Sequence, residues 1–449
     1  MSAGGRTRDP LQDLAEELVA YGKKLGADEV EVTLQEGHEF GVDVRLGEIE
    51  NLIDSGSRYV TVKIIQDKRT ALTTSSDLDA TTLQTLIKNA VQRAALGSSD
   101  EFAGLPAADE DPIDPQTLEL FDPAIAELDS KKKIRMALET EKIALADKRI
   151  TNSHGAGFET REIRTILANS LGITRSFSET YCSLGVGLQA GETNDLVEGY
   201  WGCAKRHVSE LDPPEVIADR AVARTVRQLG PRKIKTQMVP VLFEPEMTAW
   251  LIGFLFSCVS GVAVYNRATF LMDKLGKRVA QPELHVFDNG LLPRGLGSSP
   301  FDADGVPCRK TPVLENGILA NYLCNTYAAR KLDLASTGNA SGSGVGPSNF
   351  YLQAGPASQE EMVRSLDRGM ILVRVLGHGM NSITGDISRG AFGLWVEKGE
   401  IAYPVSEVTI SGNLGSLLEN VIQVGNDLEF RSAVCGPSLL LDGLTIAGL

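Results

Sequence analysis

The 449-residue sequence has little histidine and no closely paired cysteines. Its five histidines are scattered, and none has a second histidine at helical spacing. The six cysteines are scattered and form no Cys-x-x-Cys pair, and we expect reduced thiols rather than disulfides. His38-Glu39 begins like a zinc-protease motif, but Val42 and Asp43 follow where a second histidine is needed. No Gly-x-Ser-x-Gly nucleophile elbow is present either.

Positive charge is also in deficit. The chain has 44 Lys and Arg against 59 Asp and Glu, a formal net charge of −15. Nucleic-acid backbones attract clustered positive charge, so this balance disfavours direct contact with them, and no polybasic patch favours a membrane surface. Residues 1–24 contain no uninterrupted apolar segment, so no secretory signal is predicted and a cytoplasmic location is expected.

Charge is absent altogether from residues 247–266. Twenty uncharged residues are long enough to cross a bilayer, but this run includes several Ser, Thr and Gly residues and its flanks lack a positive bias. We therefore predict a buried helix, in which Gly253 and Gly261 would allow another backbone to pack closely. Its apolar residues at helical spacing are Trp250, Leu251, Phe254, Leu255 and Cys258.

The N-terminal half alternates helices with strands. Asp9 and Pro10 predict the start of a first helix that Gly26 ends, and a second helix ends at Gly97. Between them, alternating apolar residues predict three antiparallel strands with turns at 36–37 and 66–68. The Asp-, Glu- and Pro-rich segment 98–124 is typical of a linker or an exposed excursion.

The remaining segments complete an α+β prediction. A charged helix is expected over 129–148, strands over 149–208, and a helix from Pro213-Pro214 to about Gly230 with Asp212 as its cap. From 236 onward, short apolar runs separated by turn sequences predict a mostly β region. We predict an N-terminal mixed α/β domain over 1–235, with antiparallel strands and flanking helices, and a β-rich C-terminal domain over 236–449.

Two further segments resemble ligand-binding motifs, but each lacks a residue that the motif requires. Asp302-Ala-Asp304-Gly305 begins like a calcium loop, but Val313 stands where the twelfth position requires a carboxylate. The Gly- and Ser-rich stretch 336–346 could cradle a phosphate with its backbone amides, but it lacks the lysine of a P-loop. We therefore favour a mobile loop near an opening as the interpretation of that stretch.

Several long segments resemble the conserved signature of the TldD/PmbA family, and within it the PmbA/TldE branch. The resemblance covers nearly the whole chain, with its motifs in the family's order. The segments are 265–279, 297–307, 315–332, 336–340, ITGDISRGAFGLWVEKGEIAYPVSEVTISGNL at 383–414, and VGNDLEFRS at 424–432.

This resemblance implies a cytosolic proteolytic complex in which TldD is the zinc metalloprotease and TldE pairs with it around an unfolded or modified peptide. The zinc helix of TldD carries His-Glu-x-x-x-His, and a cysteine near the C-terminus supplies another ligand. Anchored on Asn266-Arg267, the matching positions here are Phe254, Leu255 and Val259, while Cys435 occupies the cysteine-like position. The resemblance therefore implies no cofactor in this chain and zinc in a TldD-type partner.

The expected assembly is a heterodimer with that partner, with a homodimer as the alternative for the chain alone, and no contact with nucleic acid or membrane. The expected cleft or interface elements are the segments 336–349 and 381–396. Their candidate residues are Gly338, Asn339, Thr384, Gly385, Asp386 and Arg389.

Two alternatives stay open at this point. The chain could be a peptidase or hydrolase in its own right, with a site assembled from His378, Asp386 and Cys435. It could also be a gyrase-related regulatory protein, since the family has been labelled a modulator of DNA gyrase, although the acidic charge disfavours DNA contact.

Overall fold

The computed structural model describes residues 9–107, 112–192 and 195–448. Helices and mainly antiparallel sheets occur together, which confirms the α+β prediction. The N-terminal part contains one six-stranded sheet in the order β3-β2-β1-β4-β5-β6, in which every pair is antiparallel. Its strands are β1 Glu29–Arg45, β2 Glu48–Gln66, β3 Arg69–Ser75, β4 Ile150–Asn169, β5 Thr174–Ala190 and β6 Val197–Lys205.

Four helices cover one face of this sheet. The helices are α1 Pro10–Lys24, α2 Ala80–Leu96, α3 Ser130–Leu145 and α4 Pro214–Val226. Helices α1 and α2 share a core with the ends of β1 and β2, and α3 and α4 share a second core with β4 to β6. Along β1, Val30, Val32 and Leu34 point into the first core, so the polar residues between them occupy the opposite face.

The helix ends follow the sequence prediction in two cases and depart from it in a third. Asp9 caps α1 by accepting a hydrogen bond from Leu11 N at 3.2 Å, with Pro10 in the first turn. Gly97 is the C-cap of α2. The prediction that Asp212 caps α4 is wrong, because Pro213 is the N-cap and no side chain caps this helix.

The prediction of a turn at 36–37 is wrong, whereas the turn at 66–68 is confirmed. Gly37 lies inside β1, paired with Ser57 of β2 on one side and Ile163 of β4 on the other. A Cβ at Gly37 would come within 2.7 Å of the Glu162 carbonyl oxygen, so this glycine permits close approach of strands. At the second turn, Asp67 and Lys68 both have positive φ, as a tight hairpin requires.

The segment 98–124 is anchored along its described parts, and its residues 108–111 lie outside the described residues. Leu105, Leu118 and Leu120 are buried. Arg330 of the C-terminal part donates to the carbonyls of Phe102, Gly104 and Leu105, at 2.7–3.2 Å. The composition suggested an exposed excursion, but these few apolar residues and carbonyls attach it to the body. Two short 3-10 helices, Pro115–Leu118 and Pro123–Ile125, lie within it, and a third, Val208–Glu210, follows β6.

The C-terminal part packs two sheets around a central helix. One sheet has eight strands in the order β18-β20-β8-β15-β16-β17-β21-β7, the other has five in the order β11-β10-β9-β14-β19, and β12 and β13 form a separate two-stranded sheet. The strands are β7 Gln237–Met238, β8 Val241–Phe243, β9 Val286–Asn289, β10 Lys310–Glu315, β11 Ile318–Leu319, β12 Ala340–Ser341, β13 Gly344–Val345, β14 Phe350–Leu352, β15 Arg368–Leu376, β16 Asp386–Glu397, β17 Glu400–Asn413, β18 Val421–Val424, β19 Val434–Cys435, β20 Leu439–Leu441 and β21 Thr445–Ala447.

The uncharged segment forms the central helix and a short continuation. The helices of this part are α5 Pro245–Val259, α6 Gly261–Tyr265, α7 Thr326–Leu332, α8 Gln359–Ser365 and α9 Leu414–Glu419. Helix α5 contacts β8 and β15 of one sheet and β14 and β19 of the other. Among the described residues, no helix is long and apolar enough to cross a membrane.

The two glycines of this segment play different roles. A Cβ on Gly261 would meet Cys324 Sγ at 2.7 Å and the Leu323 carbonyl oxygen at 3.1 Å, so close packing at this position is confirmed. The same prediction for Gly253 is wrong, because a Cβ added there would have its nearest neighbour, an atom of Val434, 3.9 Å away.

Candidate functional site

The positions that align with a zinc motif lie in the hydrophobic core. Phe254 is 4% exposed, and Leu255 and Val259 are fully buried among side chains from both C-terminal sheets. None of the three carries a nitrogen, sulphur or carboxylate donor that zinc requires. Their burial follows from the helical spacing of apolar residues around nearly the whole of α5.

Cys435 lies beside the first half of α5. Its strand, β19, pairs in parallel with β14, and its thiol donates to the Ser432 carbonyl oxygen at 3.0 Å. Cys435 lines a cavity of about 300 Å³ together with Glu246 and Ala249 of α5. The next residue, Gly436, packs so closely that an added Cβ would clash with Thr248. Phe254, Leu255 and Val259 do not line this cavity.

These residues do not fit a catalytic zinc ion. Such a site needs about three protein ligands with nitrogen, sulphur or oxygen donors around an open position. Within residues 9–107, 112–192 and 195–448, no group of three or more His, Cys, Asp and Glu side chains is placed to hold a metal ion. Cys435 would contribute one thiolate, and the matched helix positions contribute none.

An arginine closes one side of the same cavity. The Arg431 guanidinium lies 3.5 Å from the ring centroid of Trp201, donates to Glu246 Oε1 at 2.8 Å and to the Gly202 carbonyl oxygen at 2.9 Å. Arg224 also donates to Glu246 Oε1, at 2.9 Å. These contacts attach β6 and α4 of the N-terminal part to the start of α5, so they hold the two parts together at this edge.

A larger cavity, of about 550 Å³, lies between the polar face of the N-terminal sheet and loops of the C-terminal part. Gly338 and Asn339 line it. Asn339 is 3% exposed and donates to Asp288 Oδ2 at 2.6 Å and to the Gly346 carbonyl oxygen at 3.1 Å. Gly338 has a φ of +74°, and an added Cβ would lie 2.7 Å from the Pro307 carbonyl oxygen. Both residues therefore shape the loop 336–349 that borders the cavity.

Two carboxylates around this loop are fully engaged by the protein. Asp302 accepts hydrogen bonds from the backbone N–H groups of Asp304, Val306 and Ala340 at 2.8–3.0 Å. Burial, together with the neighbouring Asp304, raises the pKa of Asp302 to about 7. Burial raises the pKa of Asp288 to about 6, although hydrogen bonds from Asn339 and Ser348 oppose this.

A third carboxylate in the cavity is poorly satisfied. The Glu31 side chain is 7% exposed, its Oε1 lies 3.9 Å from Lys63 Nζ, and its Oε2 has no hydrogen-bond partner among the described residues. Burial raises the pKa of Glu31 from 4.5 to about 8, and the Lys63 charge only partly opposes this. Burial would lower the pKa of Lys63, but Glu31 and Asp304 outweigh it and the pKa is raised. Lys63 also donates to Asp304 Oδ1 at 3.4 Å, across the two parts of the chain.

Thr384, Gly385 and Asp386 form a turn at the start of β16. Asp386 is exposed and accepts from Asn413 Nδ2 at 2.9 Å and from the Thr384 hydroxyl at 2.7 Å, and these bonds lower its pKa. Arg389 donates to the Leu376 carbonyl oxygen at 3.2 Å. None of these residues lines either cavity, so the structure does not bring them together with Gly338 and Asn339.

The residues of the stand-alone hydrolase alternative are not gathered around Cys435. His378 is exposed after β15, and Asp386 is bonded to Thr384 and Asn413. Neither residue lines the cavity that contains Cys435. The geometry therefore supplies no base beside this thiol from the proposed trio.

The most distinctive polar groups were not identified from the sequence. Glu31 stands at an alternating polar position of a strand, which by itself predicts solvent exposure. Trp201 and Arg431 are 230 residues apart and meet only across the junction of the two parts. Asp302-Ala-Asp304 resembles the start of a calcium loop in the sequence, and in the structure both carboxylates line one wall of the larger cavity.

Comparison with known proteins identifies the family. Three domain models match: the PmbA/TldA metallopeptidase domain 1 at residues 30–94, the central domain at 123–229 and the C-terminal domain at 236–448. Metalloprotease PmbA of Escherichia coli O157:H7 is 36% identical over 96% of this chain and 94% of its own length. A metalloprotease PmbA homolog of Haemophilus influenzae is 35% identical with the same coverage.

Solved structures of similar proteins have the same fold as this chain. A Thermotoga maritima protein, named as a candidate modulator of a DNA gyrase, superposes with a TM-score of 0.90 at 29% identity over 97% of this chain and 100% of that chain. TldE from Thermococcus kodakarensis shares the fold, with a TM-score of 0.85 at 24% identity over 97% and 100% of the two chains. The three domain models and the length of the matches to PmbA show that this chain belongs to the TldD/PmbA family of metallopeptidases.

Proposed function

We propose that this chain is a PmbA/TldE-type subunit that has no catalytic zinc of its own and pairs with a TldD-type zinc protease in the cytoplasm. The observation that carries the proposal is the character of helix α5. Its motif-matched positions, Phe254, Leu255 and Val259, are buried and without donor atoms, and Cys435 lies beside a different part of the helix. Zinc would therefore be held by the partner, and a homodimer is the alternative assembly of the chain alone.

An exposed sheet edge supports a role in holding an extended peptide. Strand β3 pairs with residues 60–66 of β2, so among the described residues the outer side of 48–59 has no strand beside it. All twelve residues of that stretch are exposed, including Ile49, Leu52 and Ile53. A peptide can bind such an edge through main-chain hydrogen bonds without special side chains. In this proposal, the 336–349 loop and the turn at 384–386 contribute further cleft or interface surface.

The test separates an accessory subunit from an enzyme. The chain is purified alone, its bound zinc is measured, and cleavage of an unfolded peptide is assayed with and without a TldD-type partner. We expect little zinc and no cleavage from the lone chain, and chelator-sensitive cleavage from the pair. A matched control uses a partner whose zinc-binding histidines are replaced, which should form the pair without cleaving. Stoichiometric zinc with chelator-sensitive cleavage by the lone chain would overturn the proposal.

A further inference from the structure

The 550 Å³ cavity is built from a polar strand face rather than from a random gap. Glu31, Thr33 and Gln35 of β1 alternate with core residues, so all three project from the sheet face that borders the C-terminal loops. Thr61 and Lys63 of β2 lie beside them on the same face. The volume is within the usual range of small-ligand sites, and the lining mixes a few charged groups with hydroxyls and apolar surface.

Among the described residues that line the cavity, Glu31 is the one carboxylate with a buried oxygen that accepts no hydrogen bond. Its Oε2 is buried and unpartnered, and its Oε1 is 3.9 Å from Lys63 Nζ, beyond hydrogen-bonding distance. Asp302 is held by three backbone N–H groups, and Asp304 accepts from Lys63 and from Thr326 N at 3.1 Å. Buried carboxylates are costly unless they are paired, so Glu31 lacks a partner that the others have.

Carboxyl groups outnumber cationic groups in the lining of the cavity. Among the described residues that line it, Glu31, Asp302, Asp304 and Glu179 face a single lysine, Lys63. Glu179 is paired with Arg206 at 2.5 Å, which leaves three carboxylates to one ammonium group. The carboxylates are not arranged as metal ligands, since no group of three or more His, Cys, Asp and Glu side chains in the described chain is placed to hold a metal ion. An organic cation with directional N–H donors fits this geometry better than a metal ion.

We propose that this cavity binds the primary ammonium group of a ligand, with the Glu31 carboxylate as its counter-ion. An ammonium has three donors and no acceptor, so it can satisfy the unpartnered Glu31 oxygen and also donate to hydroxyls such as those of Thr33 and Thr61. Two sources share this chemistry, the free N-terminus of a peptide and the side chain of a lysine. The site belongs to this chain alone and does not depend on a TldD-type partner.

Binding should also release a proton. Burial raises the pKa of Glu31 to about 8, so near neutral pH the free cavity holds mostly the protonated acid. The charged groups that face it are Lys63, which lowers the pKa, and Asp304, Asp302 and Glu29, which raise it. A bound ammonium favours the ionised carboxylate, so the ligand displaces the proton of Glu31 to solvent.

Calorimetry on the lone chain tests the site with three probes: trialanine, N-acetyl-trialanine and N-acetyl-lysine amide. We expect at least one ammonium-bearing probe to bind and N-acetyl-trialanine to bind about tenfold or more weakly. Preference for trialanine identifies the peptide terminus as the source, and preference for N-acetyl-lysine amide identifies the side chain. Titrations in buffers of different ionisation enthalpy should show proton release near pH 7.

Two variants complete the test. Glu31→Gln keeps the shape of the protonated acid, so it should fold, and we expect about tenfold or greater loss of affinity and no proton release. Glu39→Gln, on the same face of β1 but outside the cavity, should bind like the wild type. Three results would overturn the proposal. They are wild-type affinity in Glu31→Gln, binding of N-acetyl-trialanine as tight as that of the ammonium-bearing probes, and no binding of trialanine or N-acetyl-lysine amide at about 10 mM. None of these outcomes depends on whether the chain holds zinc or cleaves peptides.

Discussion

The buried Glu31 makes a specific prediction about how stability depends on pH. Its pKa is 4.5 in the unfolded reference and about 8 in the folded chain, with burial as the main cause. Between these values the folded state keeps a proton that the unfolded chain has lost. Folding stability therefore falls as pH rises through this window, because the unfolded state binds fewer protons. The replacement Glu31→Gln has no proton to lose at this position, so its folding stability should not show this fall with rising pH.

The size of the stability change follows from how steeply the free energy of unfolding varies with pH. One titrating group changes the free energy of unfolding by about 1.36 kcal/mol per pH unit, so about 2–3 kcal/mol is expected between about pH 5.5 and about pH 7.5. Asp302 and Asp288 also have raised pKa values, but they are present in both proteins. Their contributions therefore largely cancel in the difference between Glu31→Gln and the wild type.

The assay is thermal and urea unfolding of wild type, Glu31→Gln and Glu39→Gln across this pH range. The stability of Glu31→Gln should rise relative to wild type by about 2–3 kcal/mol as pH increases, whereas Glu39→Gln should follow the wild type. Glu39 is a suitable control because it lies on the same strand and its side chain is 41% exposed, far more than that of Glu31, in an ion pair with Arg161 at 3.6 Å. A difference between Glu31→Gln and wild type that stays constant over the range would refute the burial argument.

Other replacements test packing and charge. Glu244→Ala removes the acceptor of two Arg227 hydrogen bonds, at 2.6 and 2.7 Å, and should lower the unfolding free energy by about 3 kcal/mol; a loss below about 1 kcal/mol would contradict this. Gly261→Ala should cost about 1–3 kcal/mol by overpacking, while Gly253→Ala, in an open helical position, should add about 0.5–1 kcal/mol in urea unfolding. Leu255→Glu places a carboxylate in the core and should lower stability by more than about 3 kcal/mol without creating zinc binding, as circular dichroism and metal analysis will report.

Local signals in the sequence predicted those features that depend on near neighbours. The Asp9-Pro10 helix start, the Gly97 helix end and the turn at 66–68 are each set by backbone geometry or capping within a few residues. Gly37 shows where this reasoning fails. A glycine next to a charged residue is typical of a turn, but here it allows β1 and β4 to approach across an uninterrupted sheet.

In the candidate site, too, some features were set by the residue types and others by tertiary packing. The residue types at 247–266 determined by themselves that helix α5 offers no histidine or carboxylate to a metal from that stretch, because side-chain chemistry does not depend on the fold. The packing of β19 on α5 decides which part of the helix lies beside Cys435. Sequence alignment alone could not predict the position of Cys435 along the helix.

The sequence by itself determined the family, the α+β class and the donor-free character of the matched positions in α5. Only the tertiary structure decided that Glu31 is buried without a partner, since its place in an alternating strand predicts a solvent-exposed face. That face is covered by loops that lie some 270 residues farther along the chain, among them the one that carries Asp302 and Asp304. The burial of a charge depends on everything that packs around it, whereas the pattern of a strand depends only on the strand itself.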